Sequence, residues 1–449
     1  MAPLAPRTHG RVLPALGLAV VVVLGSLSGA MPTDLSADAA VFFVVWTACL
    51  ALMAGGVPGG FYRPGAAYLT LFGFFHGGLL LSIALRGPDA FTAYDISWVF
   101  AGYTPGAVEL ALLGMVTFTV ATEAASSKAW ALPSPREPVH TRLTIVGLAC
   151  LAVGITIFAL ALANAGGIGV ASGGYLTFIH TNESDGALGY GTVLVGFGGV
   201  LGVIAGGRVR AVTWAAFGCY AVVAFMVGSR GAVLFPLLAL LVTEVRQGRR
   251  IRPLWTAMGS VVVMVLIGLV RQTRSADFAV FGSASLGSPL DALAEMGYSL
   301  RPVAATLDWH TAAEPFRHGV TLISVPLRFV ENLTGRNGGA PVYDDRLFNL
   351  EIAHRVGNIG GSPIAEGYHN FGMAGVVLLM GAIGLAVGLL EKLPRTARGN
   401  AIVGVLLLPL LVQVRNSFAA VPVQIGLGVL VLWLVWSGAP ERRREGVTR

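Results

Sequence analysis

The apolar residues of this chain come in long unbroken runs rather than in alternating or helix-periodic stripes. Runs at or near the roughly 20 residues that cross a bilayer fall at 13–30, 39–57, 65–85, 106–126, 143–165, 187–206, 211–228, 231–244, 254–270, 371–390, 400–414 and 419–437. Only helices satisfy their own backbone polar groups segment by segment inside lipid. The pattern therefore predicts an all-α fold, a polytopic membrane helix bundle of about 12 transmembrane helices. The first run follows Arg7 and Arg11 and ends near Ser28-Gly29-Ala30, as a signal peptide would. With eleven further runs behind it, it reads as an uncleaved first helix. The run at 231–244 is short and abuts its predecessor through Gly228-Ser229-Arg230-Gly231. The stretch 271–370 is too long to be a connector. The expected organisation is transmembrane helices 1–9 over residues 1–270, one large extracytoplasmic loop over 271–370, and helices 10–12 with a basic tail over 371–449. Within the loop, Asp291–Asp308 has the makings of an amphipathic helix lying on or dipping into the membrane.

Composition strengthens this picture. Of 449 residues, 55% are hydrophobic and 12% charged, with a mean hydropathy of +0.74. Soluble domains carry roughly 25% charged residues, so soluble and disordered classes are both excluded. The 60 glycines suit close approach between transmembrane helices. The net charge of +7 comes almost wholly from arginine, scattered between apolar runs rather than clustered on one face, which argues against a nucleic-acid partner. Cys49, Cys150 and Cys219 all lie in apolar runs without metal-ligand spacing and read as buried small apolar residues.

Charge also sets an orientation. With the N-terminus in the cytoplasm and sides alternating, 19 of the 30 basic residues fall inside. Of the 11 outside, eight lie in the long loop, where the positive-inside rule does not apply. Only Arg86, Arg230 and Arg415 break the pattern in short connections. Both termini are expected to be cytoplasmic, in a multi-pass protein of the cytoplasmic membrane.

Those outer arginines are candidate chemistry. Arg230 sits with Ser229 between two glycines and ahead of a new helix, so the guanidinium and the free N–H groups of that helix could meet one anion, most naturally phosphate. The alternative is a tight turn with a snorkelling arginine. Arg271 and Arg274, three apart at the loop opening, could share a diphosphate or merely anchor the interface. Arg301, Arg317 and Arg328 are further candidates, as is Arg415 beside Asn416 and Ser417. At the loop's end, Glu366 and His369 stand one helical turn apart before a span, followed by Asn370; a carboxylate beside an imidazole suits general-base work. His76 reads as a hydrogen-bonded bundle histidine, and the acidic pairs Asp344-Asp345 and Asp34/Asp38 as solvated loops. The sequons at Asn182 and Asn332 match a pattern common by chance. Phosphate-loop, serine-hydrolase, zinc-protease and dinucleotide motifs are absent from the sequence.

Three stretches resemble the O-antigen polymerase family, the oligosaccharide repeat-unit polymerases, which are related to O-antigen ligases. They are Gly228-Ser229-Arg230-Gly231, Arg271-Gln272-Thr273-Arg274, and GGSPIAEGYHNFGMAG at 360–375. The glutamate followed by Asn-Phe-Gly is typical of the polymerases, and the His-Asn pair is similar to the ligases. The resemblance implies a metal-independent glycosyltransferase without cofactors, acting on the outer face of the membrane. Its donor would be a glycan on undecaprenyl diphosphate and its acceptor the terminal sugar of another lipid-linked repeat unit. A flippase and a chain-length regulator are implied as partners. In that role Glu366 or His369 supplies the base, while Arg230, Ser229, Arg271, Arg274, Arg301, Asn370 and Arg415 hold the substrate, with Arg230, Arg271 and Arg274 converging on one diphosphate. A transporter of lipid-linked glycans, or a ligase moving finished glycan, are the alternatives.

Overall fold

The computed structural model describes residues 14–22, 34–55, 59–91, 95–126, 141–167, 187–251, 288–334 and 346–437, with a few isolated positions besides. Helices dominate these residues, joined by short turns, without a strand among them. Before the loop, besides the helical stretch 14–22, the described residues form α1 (Leu35–Ala54), α2 (Pro64–Arg86), α3 (Thr104–Ser126), α4 (Thr141–Asn164), α5 (Ala187–Ala205), α6 (Gly207–Met226) and α7 (Gly231–Arg246). The loop contributes α8 (Pro289–Met296), α9 (Arg301–Thr311), α10 (Val320–Leu333) and α11 (Phe348–Arg355). The last three are α12 (Pro363–Glu391), α13 (Ala397–Gln413) and α14 (Val421–Trp436).

Ten of the predicted runs coincide with these helices, and eight helices among the described residues are long and apolar enough to cross a membrane. The chain is a multi-pass membrane protein. The first run is helical over 14–22, and the run at 254–270 lies almost wholly outside the described residues. The short run at 231–244 is a separate helix, because Gly228 takes a φ of 76° and ends the helix before it. Cys49 and Cys150 are buried as expected, but Cys219 is exposed on α6, on a face that an apolar residue can turn to lipid.

The bundle has two chemically distinct ends. At one, Arg63 ties four helices together. Its Nε donates to Glu391 Oε2 at 2.6 Å, its Nη1 to Glu123 Oε1 at 2.5 Å and to the Met53 carbonyl at 2.9 Å, and its Nη2 to Ser126 Oγ at 2.6 Å. Arg246 at the end of α7 joins this side, bonding to Asn400 and to the Leu393 carbonyl. The loop helices dock at the other end. There Ser82 Oγ donates to the Leu290 carbonyl at 2.9 Å and Arg86 pairs with Asp291 at 2.6 Å.

The segment Asp291–Asp308 is not one surface helix. Ser288 and Asp291 form a capping box that starts α8, a 3₁₀ turn (Gly297–Leu300) interrupts it, and Pro302 in the first turn of α9 starts a second helix. Ala292, Leu293, Ala294 and Met296 are buried, so its apolar side faces the bundle rather than lipid.

Candidate functional site

The start of α12 is fixed from below. Ser362 caps the helix by accepting from Ile364 N, and its hydroxyl meets His76 Nε2 on α2 at 2.8 Å. His76 Nδ1 faces the Phe72 carbonyl at 3.0 Å, so this histidine is a bundle histidine, as its setting predicted. Two turns later the helix breaks, at the expected end of the loop: Phe371 (φ −143°) and Gly372 (φ 63°) are non-helical. Only glycine adopts the second value without strain. The short piece then lies against the long one, and a Cβ on Gly375 would sit 1.9 Å from the Gly367 carbonyl oxygen. Glycine is obligatory at that contact.

This short piece carries Glu366, His369 and Asn370, all fully buried. They do not serve one carboxylate–imidazole pair. Glu366 turns to α10 and to the α13–α14 connection. Its Oε1 accepts from Thr321 Oγ1 at 2.9 Å and its Oε2 from the backbone N–H of Phe418 at 2.5 Å. Asn370 completes that side. Its Nδ2 donates to Thr321 Oγ1 and to the Glu366 carbonyl, and its Oδ1 accepts from Gly319 N at 2.8 Å. Glu366 and Asn370 thus hold α10 onto α12.

His369, one turn on, faces α9 and α11 instead. Its Nε2 lies 3.0 Å from Glu351 Oε2, and its Nδ1 lies 3.0 Å from His310 Nε2. The carboxylate partner of His369 is therefore Glu351 and not Glu366. Arg317 spans the pair, with Nη2 donating to Glu351 Oε1 at 2.7 Å and Nε lying 3.3 Å from the imidazole. Arg355 bonds to Glu351 Oε1 at 3.2 Å, grips Glu314 through both oxygens at 2.5 and 3.0 Å, and stacks 3.6 Å over the Trp309 ring. His310 Nδ1 meets the Glu314 carbonyl at 2.8 Å, while its ring stacks on Phe316. His310 and Arg317 are partly exposed, unlike Glu351 and His369.

Electrostatics separate these groups. Burial pushes the Glu351 carboxyl up, but hydrogen bonds from His369 and Arg317 and their charges more than offset it and hold it at about 2. His310 is lowered, first by burial, then by the charges of His369 and Arg317, against the pull of its bond to the Glu314 carbonyl. The site thus offers a carboxylate, two flanking guanidinia and a pair of imidazoles at one end of the bundle.

The remaining candidates are held elsewhere. Arg230 is buried and paired with Glu295 of α8, while its Nε has no hydrogen-bond partner among the described residues. Ser229 sits half-buried beside it in the turn. Arg301 bonds to Asp95 at 2.6 Å. The Arg415 guanidinium lies 5.8 Å from the centre of the Phe75 ring, and its carbonyl accepts from Gly361 N. Arg328 lies 3.6 Å from Asp344, whose side chain also holds Arg346, so that pair forms an ion cluster rather than an open acidic loop. Arg271, Arg274 and Asp345 lie outside the described residues, and with them the expected convergence on one diphosphate.

A family model for the O-antigen polysaccharide polymerase Wzy matches residues 209–438, half of the chain. The chain belongs to the O-antigen polysaccharide polymerase family. The match takes in Arg230, the loop helices and all of α12, so the whole His369 cluster lies inside it. Among curated proteins, Protein CapE of Staphylococcus aureus is 24% identical over 205 residues, covering 44% of this chain and 44% of that protein. The match thus spans less than half of the relative's length. No solved structure matches.

Sequence reasoning missed His310, Glu351 and Arg355. They stand 59, 18 and 14 positions before His369, His310 on α9 and the other two on α11. A faint signal existed: each sits in a polar segment inside an otherwise apolar chain, at Asp308-Trp309-His310 and Glu351-Ile352-Ala353-His354-Arg355.

Proposed function

We propose that this protein joins oligosaccharide repeat units carried on undecaprenyl diphosphate, at the outer face of the cytoplasmic membrane. The acceptor sugar hydroxyl attacks the anomeric carbon of the donor glycan. The bond to the lipid diphosphate breaks, and the hydroxyl proton passes to the protein. The observation that carries this reading is the buried His369–Glu351 pair bridged by Arg317, in a member of this family. Glu351 fixes the imidazole, as a carboxylate does for a histidine that must take up a proton. Positive charge for the departing diphosphate comes from Arg317 and Arg355, and from Arg230, whose Nε has no partner among the described residues and suits an anion. Glu366, with both oxygens occupied, is a positioning residue that holds the short helix in place.

Polymer ladders from cells carrying His369→Asn test the reading. Polymer is expected to be lost at normal membrane protein level, with single lipid-linked repeat units accumulating. A normal ladder from this variant sinks it.

A further inference from the structure

The reading above leaves a gap, because His369 is fully buried and both of its ring nitrogens are engaged. The partly exposed member of the pair is His310. Hydrogen counting defines its state. The Glu314 carbonyl can only accept, so His310 Nδ1 carries a hydrogen. His369 Nε2 meets two groups, Glu351 Oε2 at 3.0 Å and Arg317 Nε at 3.3 Å; the shorter contact, to a charged acceptor, decides, and Nε2 carries another hydrogen. A third hydrogen must lie between His310 Nε2 and His369 Nδ1, 3.0 Å apart. Three hydrogens on two imidazoles make one imidazolium, whose charge Glu351 balances. In this arrangement the pair holds one proton more than a base can, and its outward nitrogen is covered by the Glu314 carbonyl.

The cover is a built turn. It runs from Ala312 to Gly319 and is bracketed by Ala313 (φ 71°) and His318 (φ 49°), two non-glycine residues in the left-handed region. Such residues persist only where surrounding contacts hold them. Two side-chain grips and two backbone hydrogen bonds hold them here. Arg355 grips Glu314, Arg317 grips Glu351, and the backbone N–H groups of Arg317 and His318 donate to the carbonyls of His369 and Asn370. The grips on Glu314 and Glu351 use the very guanidinia proposed to receive the diphosphate.

Building on the proposed function, we infer that His310 is the residue that meets the acceptor hydroxyl, and that the 312–319 turn caps it until an anion takes Arg355 from Glu314. A diphosphate on Arg355 and Arg317 frees the Glu314 side chain, the turn lifts, and the Nδ1 proton leaves to water. His310 then donates through Nε2 to His369 Nδ1, and His369 donates through Nε2 to Glu351. The bare Nδ1 accepts the proton of the attacking hydroxyl as the new glycosidic bond forms and the diphosphate departs with the bonding pair. Donor binding thereby switches the base on, so an acceptor alone meets a capped site. The groups facing His310 are Glu314 and Arg317 of the turn, Tyr368 and His369 of α12, and, through Glu351, Arg355 of α11.

Diethyl pyrocarbonate, which modifies an unprotonated and reachable ring nitrogen, reads the cap directly. In the purified full-length protein in lipid discs, inorganic diphosphate should raise modification of His310 several-fold, read by peptide mass spectrometry. Glu314→Gln, which weakens the Arg355 grip, should raise it without diphosphate. The exposed His354 ring, on α11 and outside the turn, serves as the internal reference. Modification of His310 that follows His354 in both cases overturns the cap. Polymer assays separate the two levels of the argument. If His310→Asn keeps a full ladder while His369→Asn loses it, His310 does not meet the acceptor but the proposed function stands. If both keep it, the proposed function fails as well.

Discussion

At the scale of single residues, Glu351 carries the heaviest duty, because three cationic or hydrogen-bearing partners converge on one buried carboxylate. Its carboxyl lies at about 2 in the folded protein, against an ordinary 4.5. A depressed acid stabilises the fold above its unfolded value and ceases to do so as pH falls through its folded value. That contribution is therefore complete above pH about 4.5 and fades toward pH about 2. Glu351→Gln leaves two guanidinia facing an amide, and breaking such a pair costs on the order of 3 kcal/mol. The variant should unfold at lower temperature in detergent at neutral pH and converge with the wild type on acidification. An equal midpoint at pH 7 would show that the pair does not stabilise the fold. Residues such as Glu351 and His310 were hard to read in the sequence because only a faint local polarity marks them and their partner His369 lies far along the chain. His369, Asn370 and Glu366 were legible because one turn of helix carries all three, but their partners were not. The adjacency of Glu366 and His369 suggested a shared task; on one helix they stand about 60° apart, and each meets a different loop helix, Glu366 at Thr321 of α10 and His369 at Glu351 of α11.

At the scale of elements, the spans were legible because bilayer thickness dictates run length directly. The loop helices α8–α11 obey no such rule. They are short, their apolar faces meet parts of the bundle distant in sequence, and the sequence pattern announced only one amphipathic stretch, Asp291–Asp308, where α8 and α9 stand. The break in α12 falls between these cases. Its glycines were visible, but not that Gly367 and Gly375 touch backbone to backbone across Gly372. That contact aims His369 at α9 and α11, so it links packing to chemistry. Gly375→Ala places a methyl where no atom fits. Overpacking of this kind costs about 1–3 kcal/mol, and the short helix has little else to yield. Lower thermal stability together with loss of polymer is expected. If unfolding and ladder length both match the wild type, the contact is looser than drawn and the break does not set the site.

At the scale of the whole molecule, the distribution of charge gives the bundle a direction. The Arg63–Glu123–Glu391 cluster closes one end, and the His369 site opens at the other. The 19 residues between Gly372 and Glu391 rise about 1.5 Å each, a span of about 28 Å and close to the hydrocarbon thickness. Each end thus lies at its own face of the membrane. The arginine and lysine distribution argues that the Arg63 end is cytoplasmic, and the proposed transfer of exported lipid-linked glycan requires the His369 end to be outside. The exposed residues Asp89 and Lys392 report on the two faces, because Asp89 follows the Arg86–Asp291 pair of the site end and Lys392 follows Glu391. In a Cys219→Ala background, which removes the exposed native thiol, Asp89→Cys should react with an impermeant maleimide in intact cells. Lys392→Cys should react only after permeabilisation. The reverse pattern would put the histidine cluster in the cytoplasm, where an exported lipid-linked glycan could not reach it, and the proposed reaction would then have no substrate on the side where its chemistry lies.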